Sequence, residues 1–183
     1  TAAIQSIKKS KHIAADIVLI LLATGCRGNE LFSAPLSNCA DRYFIGGSKT
    51  DVGKNRVIPI ATDGLKAYQR ILATARKRNG TLLIDGYDGN KTYANFAKRE
   101  FKDLMKELGL EGYTPYDCRH TFTTLAIKSG MDKQTLRRIL GHADLSTTDK
   151  YYTHLGLNDI LEAVDELYLT NAVSNKLVTR SKS

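Results

Sequence analysis

The stretch from Ile13 to Ala23 is apolar almost all round, with Ile17, Val18, Leu19, Ile20, Leu21 and Leu22 in succession and only Asp16 to interrupt it. A helix with no polar face has to be enclosed by protein on every side. It therefore predicts a central helix with the rest of the domain packed round it. The run is far shorter than the ~20 apolar residues a bilayer crossing needs. It ends at Thr24-Gly25, where glycine takes up the left-handed cap conformation, and a charged residue, Arg27, follows at once. A charge at the end of a buried helix is costly unless it is paired or faces a ligand. Arg27 is thus either salt-bridged to Glu30 at helical spacing or a phosphate ligand, and Glu30-Leu31 can restart a helix.

The remaining pattern is mostly helical. Asp41–Thr50 and Asn55–Ile60 carry the aromatic and β-branched content of two strands, joined by a turn at 51–54, with Gly46-Gly47 marking a bulge. Thr62 or Asp63 caps a helix through Leu65, Tyr68, Ile71, Leu72 and Ala75, closed by Arg76-Lys77-Arg78 and Gly80. That basic end complements the helix dipole. Thr81–Ile84 predicts a short strand. Thr92 caps one helix running through Phe96, Phe101, Leu104, Met105 and Leu108 to Gly109. Thr114-Pro115 opens a helix that ends at Gly130; Asp132 caps the next, ended by Gly141. These two helices and their tight turn have the outline of a helix-turn-helix. Ser146 caps a segment through His154, and Asn158 an amphipathic helix with Ile160, Leu161, Val164 and Leu167. The expected class is mainly α with a small antiparallel sheet, α+β, in one domain over 1–170 with a polar, basic tail at 171–183.

The chain carries 27 Lys+Arg against 19 Asp+Glu, a formal charge of +8. That excess points to a polyanionic partner, nucleic acid before membrane. Cys26, Cys39 and Cys118 have no paired spacing, so neither a disulfide framework nor a zinc site is expected, and free thiols fit a reducing cytosol. No Asp/Glu cluster has metal-ligand spacing. The chain opens on polar Gln5, Ser6, Lys8 and Lys9 without a signal-peptide pattern, and its abrupt start suggests part of something longer.

The chemistry concentrates between Thr114 and His154. T-P-Y-D-C-R-H-T-F, then L-G-H-A-D-L-S-T-T-D-K-Y-Y-T-H, place an arginine, histidines and adjacent tyrosines within one segment. These are phosphate-binding and nucleophilic groups, and in a basic chain they suggest chemistry on a phosphodiester.

Four motifs, in order, resemble those of the tyrosine recombinases, the family of phage and transposon integrases. A-T-G-C-R-G-N-E-L is similar to the first arginine box. G-S-K-T, a turn and R-V-I-P-I resemble the hairpin that bears a lysine. Y-D-C-R-H-T-F-T-T resembles the second arginine box, and L-G-H-A-D-L-S-T-T with Y-T-H the third, which bears the nucleophile. Together they span about Ile13 to Leu169.

The resemblance implies site-specific cleavage and rejoining of DNA through a 3′-phosphotyrosyl link, without metal, cofactor or ATP. Arg27 and Arg119 would fork onto the non-bridging oxygens, and His142 would donate to the same phosphate. Lys49 would be the general acid for the leaving 5′-oxygen; Lys54, in the turn, lacks the motif context. Tyr151 lies nine residues after His142 and Tyr152 ten. Both spacings occur in the family; the Y-T-H ending selects Tyr152 as nucleophile, with Tyr151 the alternative. Where the family usually has histidine this chain has Tyr116, a poor base because a phenol titrates near about 10. Tyr116 is read as a hydrogen-bond donor, with His120 or His142 covering any missing acid–base role. Glu30 is expected to orient Arg27, and Asp117 to cap the helix carrying Arg119.

The same resemblance implies double-stranded DNA as partner, four protomers on two DNA sites and a monomer without DNA. It implies an N-terminal DNA-clamping domain missing from this chain, and a last helix, 158–169, that docks on a neighbour or on its own core. It also implies action in the cytoplasm, bacterial or phage-encoded, without a membrane. A type IB topoisomerase-like strand relaxer and a non-catalytic DNA-binding protein of the same fold are the alternatives.

Overall fold

The structure is a computed structural model that describes residues 2–47, 55–141 and 156–167. Its central element is α2 (Ala15–Thr24), in which every residue but Asp16 is buried. Around it stand α1 (Ala2–Lys9), α4 (Thr62–Lys77) and α7 (Pro115–Ser129). Enclosing the six large aliphatics from Ile17 to Leu22 is worth about 9–18 kcal/mol gross, at ~1.5–3 each. Much of this is offset by the entropy of ordering the chain. The α2–α4 crossing is close: a Cβ on Gly64 would lie 2.3 Å from the Ala23 Cβ and 2.9 Å from the Leu19 carbonyl oxygen. Any side chain there would force the two helices apart.

The sheet is one antiparallel pair, β1 (Tyr43–Gly46) and β2 (Arg56–Pro59), in register from Tyr43↔Pro59 to Gly46↔Arg56. Among the described residues the strands are shorter than the sequence pattern suggests, with Asp41, Arg42, Gly47, Asn55 and Ile60 outside them, and residues 48–50 lie outside the described residues. The expected bulge at Gly46-Gly47 does not interrupt the ladder, since Gly46 pairs regularly with Arg56. Glycine is needed at 46 for space: a Cβ would meet Ile58 Cδ1 at 2.9 Å. β2 is covered by α8 (Lys133–Leu140) and α9 (Leu157–Asp165). Among the described residues this gives the mainly helical fold with a small antiparallel sheet that the sequence indicates.

Several local expectations are corrected. α1 is absent from the sequence reading; it is held by Ile4 and Ile7, three apart and both buried. Neither Thr62 nor Asp63 caps α4, whose N-cap is Ala61 without a side-chain bond. Asp63 pairs instead with Lys8 of α1, and the Thr62 hydroxyl donates to Asp165 of α9 at 3.2 Å, so both tie α4 to distant helices. Thr81–Ile84 is not a strand. Asp85 accepts from the backbone N–H groups of Thr81 (2.8 Å) and Leu82 (2.9 Å), and a 3-10 turn forms over Leu83–Gly86. Of the extended pairing expected there, a lone bridge forms, Pro35↔Leu82.

Thr92 does cap a helix, but the expected single helix is two, α5 (Tyr93–Lys98) and α6 (Glu100–Glu107), broken at Arg99 with φ −117° and ψ −89°. The break lets Phe96 and Phe101 meet edge to face at 6.2 Å while both stay buried. Asp132 caps α8 through Gln134 and Thr135, as its sequence indicates. The N-cap of α9 is Gly156 rather than Asn158, with Asp159 accepting from the Gly156 N–H at 2.6 Å. The Ser146 segment, the turn at 51–54 and the tail at 171–183 lie outside the described residues. No described helix is long and apolar enough to cross a membrane.

Candidate DNA-strand cleavage site

The end of α2 starts the site. Gly25 adopts φ +60° and its N–H closes back on the Leu21 carbonyl. A Cβ there would sit 2.5 Å from the Phe122 ring, so glycine is required for both conformation and space. The chain then turns through Cys26 to Arg27, which is extended (φ −73°, ψ 143°) and forms the N-cap of α3 (Gly28–Phe32). The Glu30 carboxylate reaches back to accept from the Arg27 N–H at 2.8 Å, and its other oxygen lies 3.4 Å from Arg27 Nη1. The salt bridge that the spacing allows is therefore present but long, and the Arg27 side chain remains 41% exposed.

Arg119 enters from α7. The Thr114 N–H and hydroxyl donate to Asp117 at 2.7 and 2.8 Å, which fixes the start of that helix as the sequence suggests. These bonds from Thr114 hold the Asp117 carboxyl below its ordinary value. Arg119 is only 5% exposed. Its Nη1 donates to the Gly25 carbonyl and its Nη2 to the Leu140 carbonyl, both at 2.8 Å. One guanidinium thus ties the end of α2 to the end of α8. Burial first, and then the neighbouring charge of Arg27, lower its pKa from the ordinary arginine value; a guanidinium so shifted stays protonated. The bond to the Gly25 carbonyl, two residues before Arg27, brings the two arginines to one site.

A third arginine completes the cluster, one that sequence reasoning missed. Arg56, at the start of β2 and 8% exposed, forks onto Glu30 with bonds of 2.5 and 2.7 Å. Its Nε donates to the Ile139 carbonyl at 3.0 Å. Glu30 is 4% exposed. Burial alone would raise its carboxyl, but the bonds and charge of Arg56, with the Arg27 N–H, outweigh burial and hold it below 4.5. Glu30 thus touches Arg27, as expected, but its nearer partner is Arg56. The signal in the sequence was a lone cation opening the apolar strand R-V-I-P-I.

Among the described residues, three guanidiniums against one carboxylate leave the cluster with two excess positive charges, suited to a phosphodiester. Tyr116 is 55% exposed. Its ring meets His120 edge to face, centroids 4.7 Å apart, so His120 flanks Tyr116 on the exposed side of α7. Cys26 and Cys118 adjoin the two arginines in the chain, but burial pushes both thiols up to about 12, which disfavours the nucleophilic thiolate. No cluster of metal-binding side chains occurs among the described residues. Lys49, His142, Tyr151 and Tyr152 lie outside the described residues; Gly141, immediately before His142, ends α8 with φ +66°.

Comparison with known proteins supplies the family and the fold. The Phage integrase family matches residues 2–158. The tyrosine recombinase XerA of Saccharolobus solfataricus is 34% identical over 145 residues, covering 79% of this chain and 46% of that protein. The integrase of transposon Tn1549, solved with circular intermediate DNA, superimposes with a TM-score of 0.60 at 25% identity, over 86% of this chain and 60% of that one. The integrase of mycobacterium phage Brujita shares the fold, with a TM-score of 0.69 at 20% identity over 96% of this chain and 60% of the other. The chain spans about half the length of the curated relatives it matches. Its motifs, its fold and the family match lead to one assignment: the chain belongs to the phage integrase family of tyrosine recombinases.

Proposed function

We propose that the chain is the catalytic domain of a site-specific DNA recombinase that cuts and rejoins strands through a 3′-phosphotyrosyl intermediate. The observation that carries this reading is the shared site of Arg27 and Arg119, one exposed and one buried, in a cluster with net positive charge. Phosphoryl transfer depends chiefly on positioning and on neutralising charge over the non-bridging oxygens. Arg119, fixed by two carbonyls, supplies a rigid field; Arg27, on the exposed side, contacts the strand. The phenol of Tyr152, with Tyr151 the alternative, attacks phosphorus and gives its proton to water. The bond to the 5′-oxygen breaks, and Lys49 protonates that oxygen. His142 and Tyr116 donate hydrogen bonds to the phosphate. The ester retains the bond energy, so the reverse attack by a 5′-hydroxyl reseals the strand without ATP.

The partner is double-stranded DNA, in line with the DNA held by the Tn1549 integrase, and full recombination joins four protomers on two sites. The names of the relatives favour recombination over supercoil relaxation.

The test is incubation of the chain with nicked duplexes of randomised sequence, followed by recovery of detergent-resistant adducts. An adduct mapping to the peptide that holds Tyr151 and Tyr152, and lost in Tyr152→Phe, is expected. No adduct with any duplex would overturn the reading.

A further inference from the structure

Arg56 is the one member of the charged cluster for which the proposed chemistry gives no task. Its position is unusual. It stands at the root of the hairpin, yet its three contacts reach the segments on either side of the site. Two are to Glu30 of α3 at 2.5 and 2.7 Å, and the third is to Ile139 at the end of α8 at 3.0 Å. It also lies beneath Gly141, where a Cβ would meet Arg56 Nε at 2.9 Å.

Glu30 is contested by two cations. One oxygen is 2.5 Å from Arg56 Nη1 and 3.4 Å from Arg27 Nη1. The other accepts from Arg56 Nη2 at 2.7 Å and from the Arg27 backbone at 2.8 Å. A buried carboxylate that loses its partner is strongly destabilised and seeks another. Among the described residues the Arg27 guanidinium already lies within reach, 3.4 Å away. Drawn onto Glu30, that guanidinium would turn inward, away from the exposed side.

We propose that Arg56 is a positioning residue: its forked pair with Glu30 keeps that carboxylate from capturing Arg27, and so holds the Arg27 guanidinium out toward the strand phosphate. The role in cleavage rests on the function proposed above; the competition for Glu30 does not.

The first measurement needs no DNA. The guanidinium N–H signals of Arg27, identified by their loss in Arg27→Lys, are followed by NMR in the wild-type chain, in Arg56→Gln and in Arg56→Gln/Glu30→Gln. In Arg56→Gln the Arg27 protons become protected from solvent exchange, and in the double variant the protection disappears. Arg27 signals unchanged by Arg56→Gln would overturn the proposal. Should Arg56→Gln alone fail to fold, Arg56→Lys, which keeps the charge but loses the fork onto Glu30, takes its place. Arg27 protons protected in Arg56→Lys and released in Arg56→Lys/Glu30→Gln uphold the proposal, and protons unchanged by Arg56→Lys overturn it.

The second measurement is the rate of adduct formation on a nicked duplex. Arg56→Gln slows it by about ten-fold or more, and adding Glu30→Gln restores most of the loss, as expected for coupled neighbours. A loss that Glu30→Gln leaves untouched assigns Arg56 to packing alone and overturns the proposal. A wild-type chain that forms no adduct instead refutes the recombinase reading, while the NMR arm still decides the competition for Glu30.

Discussion

The two arginines differ in what holds them, and this separates stability from activity. Arg119→Met keeps the length and apolar stem but removes the bonds to the Gly25 and Leu140 carbonyls. Each is a bond from a charged donor, worth about 1.5–3 kcal/mol, so the pair accounts for about 3–6 kcal/mol. That is a large share of the ~5–15 kcal/mol by which domains are usually stable. Arg27→Met removes only a 3.4 Å contact on a side chain that is 41% exposed. Solvent screening leaves such a pair at about 0.2–1 kcal/mol. Both substitutions should nevertheless slow adduct formation by about 10²–10³, the usual cost of losing one preorganised donor. Urea unfolding followed by circular dichroism gives the first quantity, and the rate of adduct formation on a nicked duplex the second. Arg119→Met unfolding within about 1 kcal/mol of wild type would show that the carbonyl bonds carry little. Equal destabilisation by the two substitutions would refute the distinction itself.

Tyr116→His, at an exposed position, should keep or raise the cleavage rate and shift stability by no more than about 0.5 kcal/mol; complete loss of adduct would show that the phenol itself is required. Tyr152→Phe should abolish the adduct while Tyr151→Phe retains it, and the opposite pattern, read by peptide mapping, would move the nucleophile to Tyr151. The Glu30 carboxyl lies below its ordinary 4.5 in the folded chain. Its contribution to stability is therefore complete above that value and is lost as pH falls through the folded pKa. Urea midpoints taken from neutral pH to below 4.5 should fall more steeply for wild type than for Glu30→Gln; parallel curves would remove Glu30 from the acid response. Asp117→Ala should cost about 1 kcal/mol through the lost bonds to Thr114, measured by the same unfolding curves.

Local chemistry was legible in the sequence wherever a residue's partner is its near neighbour. The all-round apolar run could only be a buried helix, and α2 is one. Gly25, Gly130 and Gly141 end their helices in the left-handed conformation, and Asp132 caps α8, because caps are made within a turn of the residue itself. Arg27 and Arg119 stood out through motifs that are contiguous in the chain.

What only the tertiary structure decided involves partners far apart in sequence. Asp63 and Thr62 look like caps but are claimed by Lys8 and Asp165 from other helices. The break at Arg99 is invisible in an apolar stripe that reads equally well as one helix. Arg56 reads as an ordinary strand cation until the fold brings it against Glu30, 26 residues away, and Ile139, 83 away. A buried charge must find its counter-charge wherever packing places one, and spacing along the chain carries no record of that meeting.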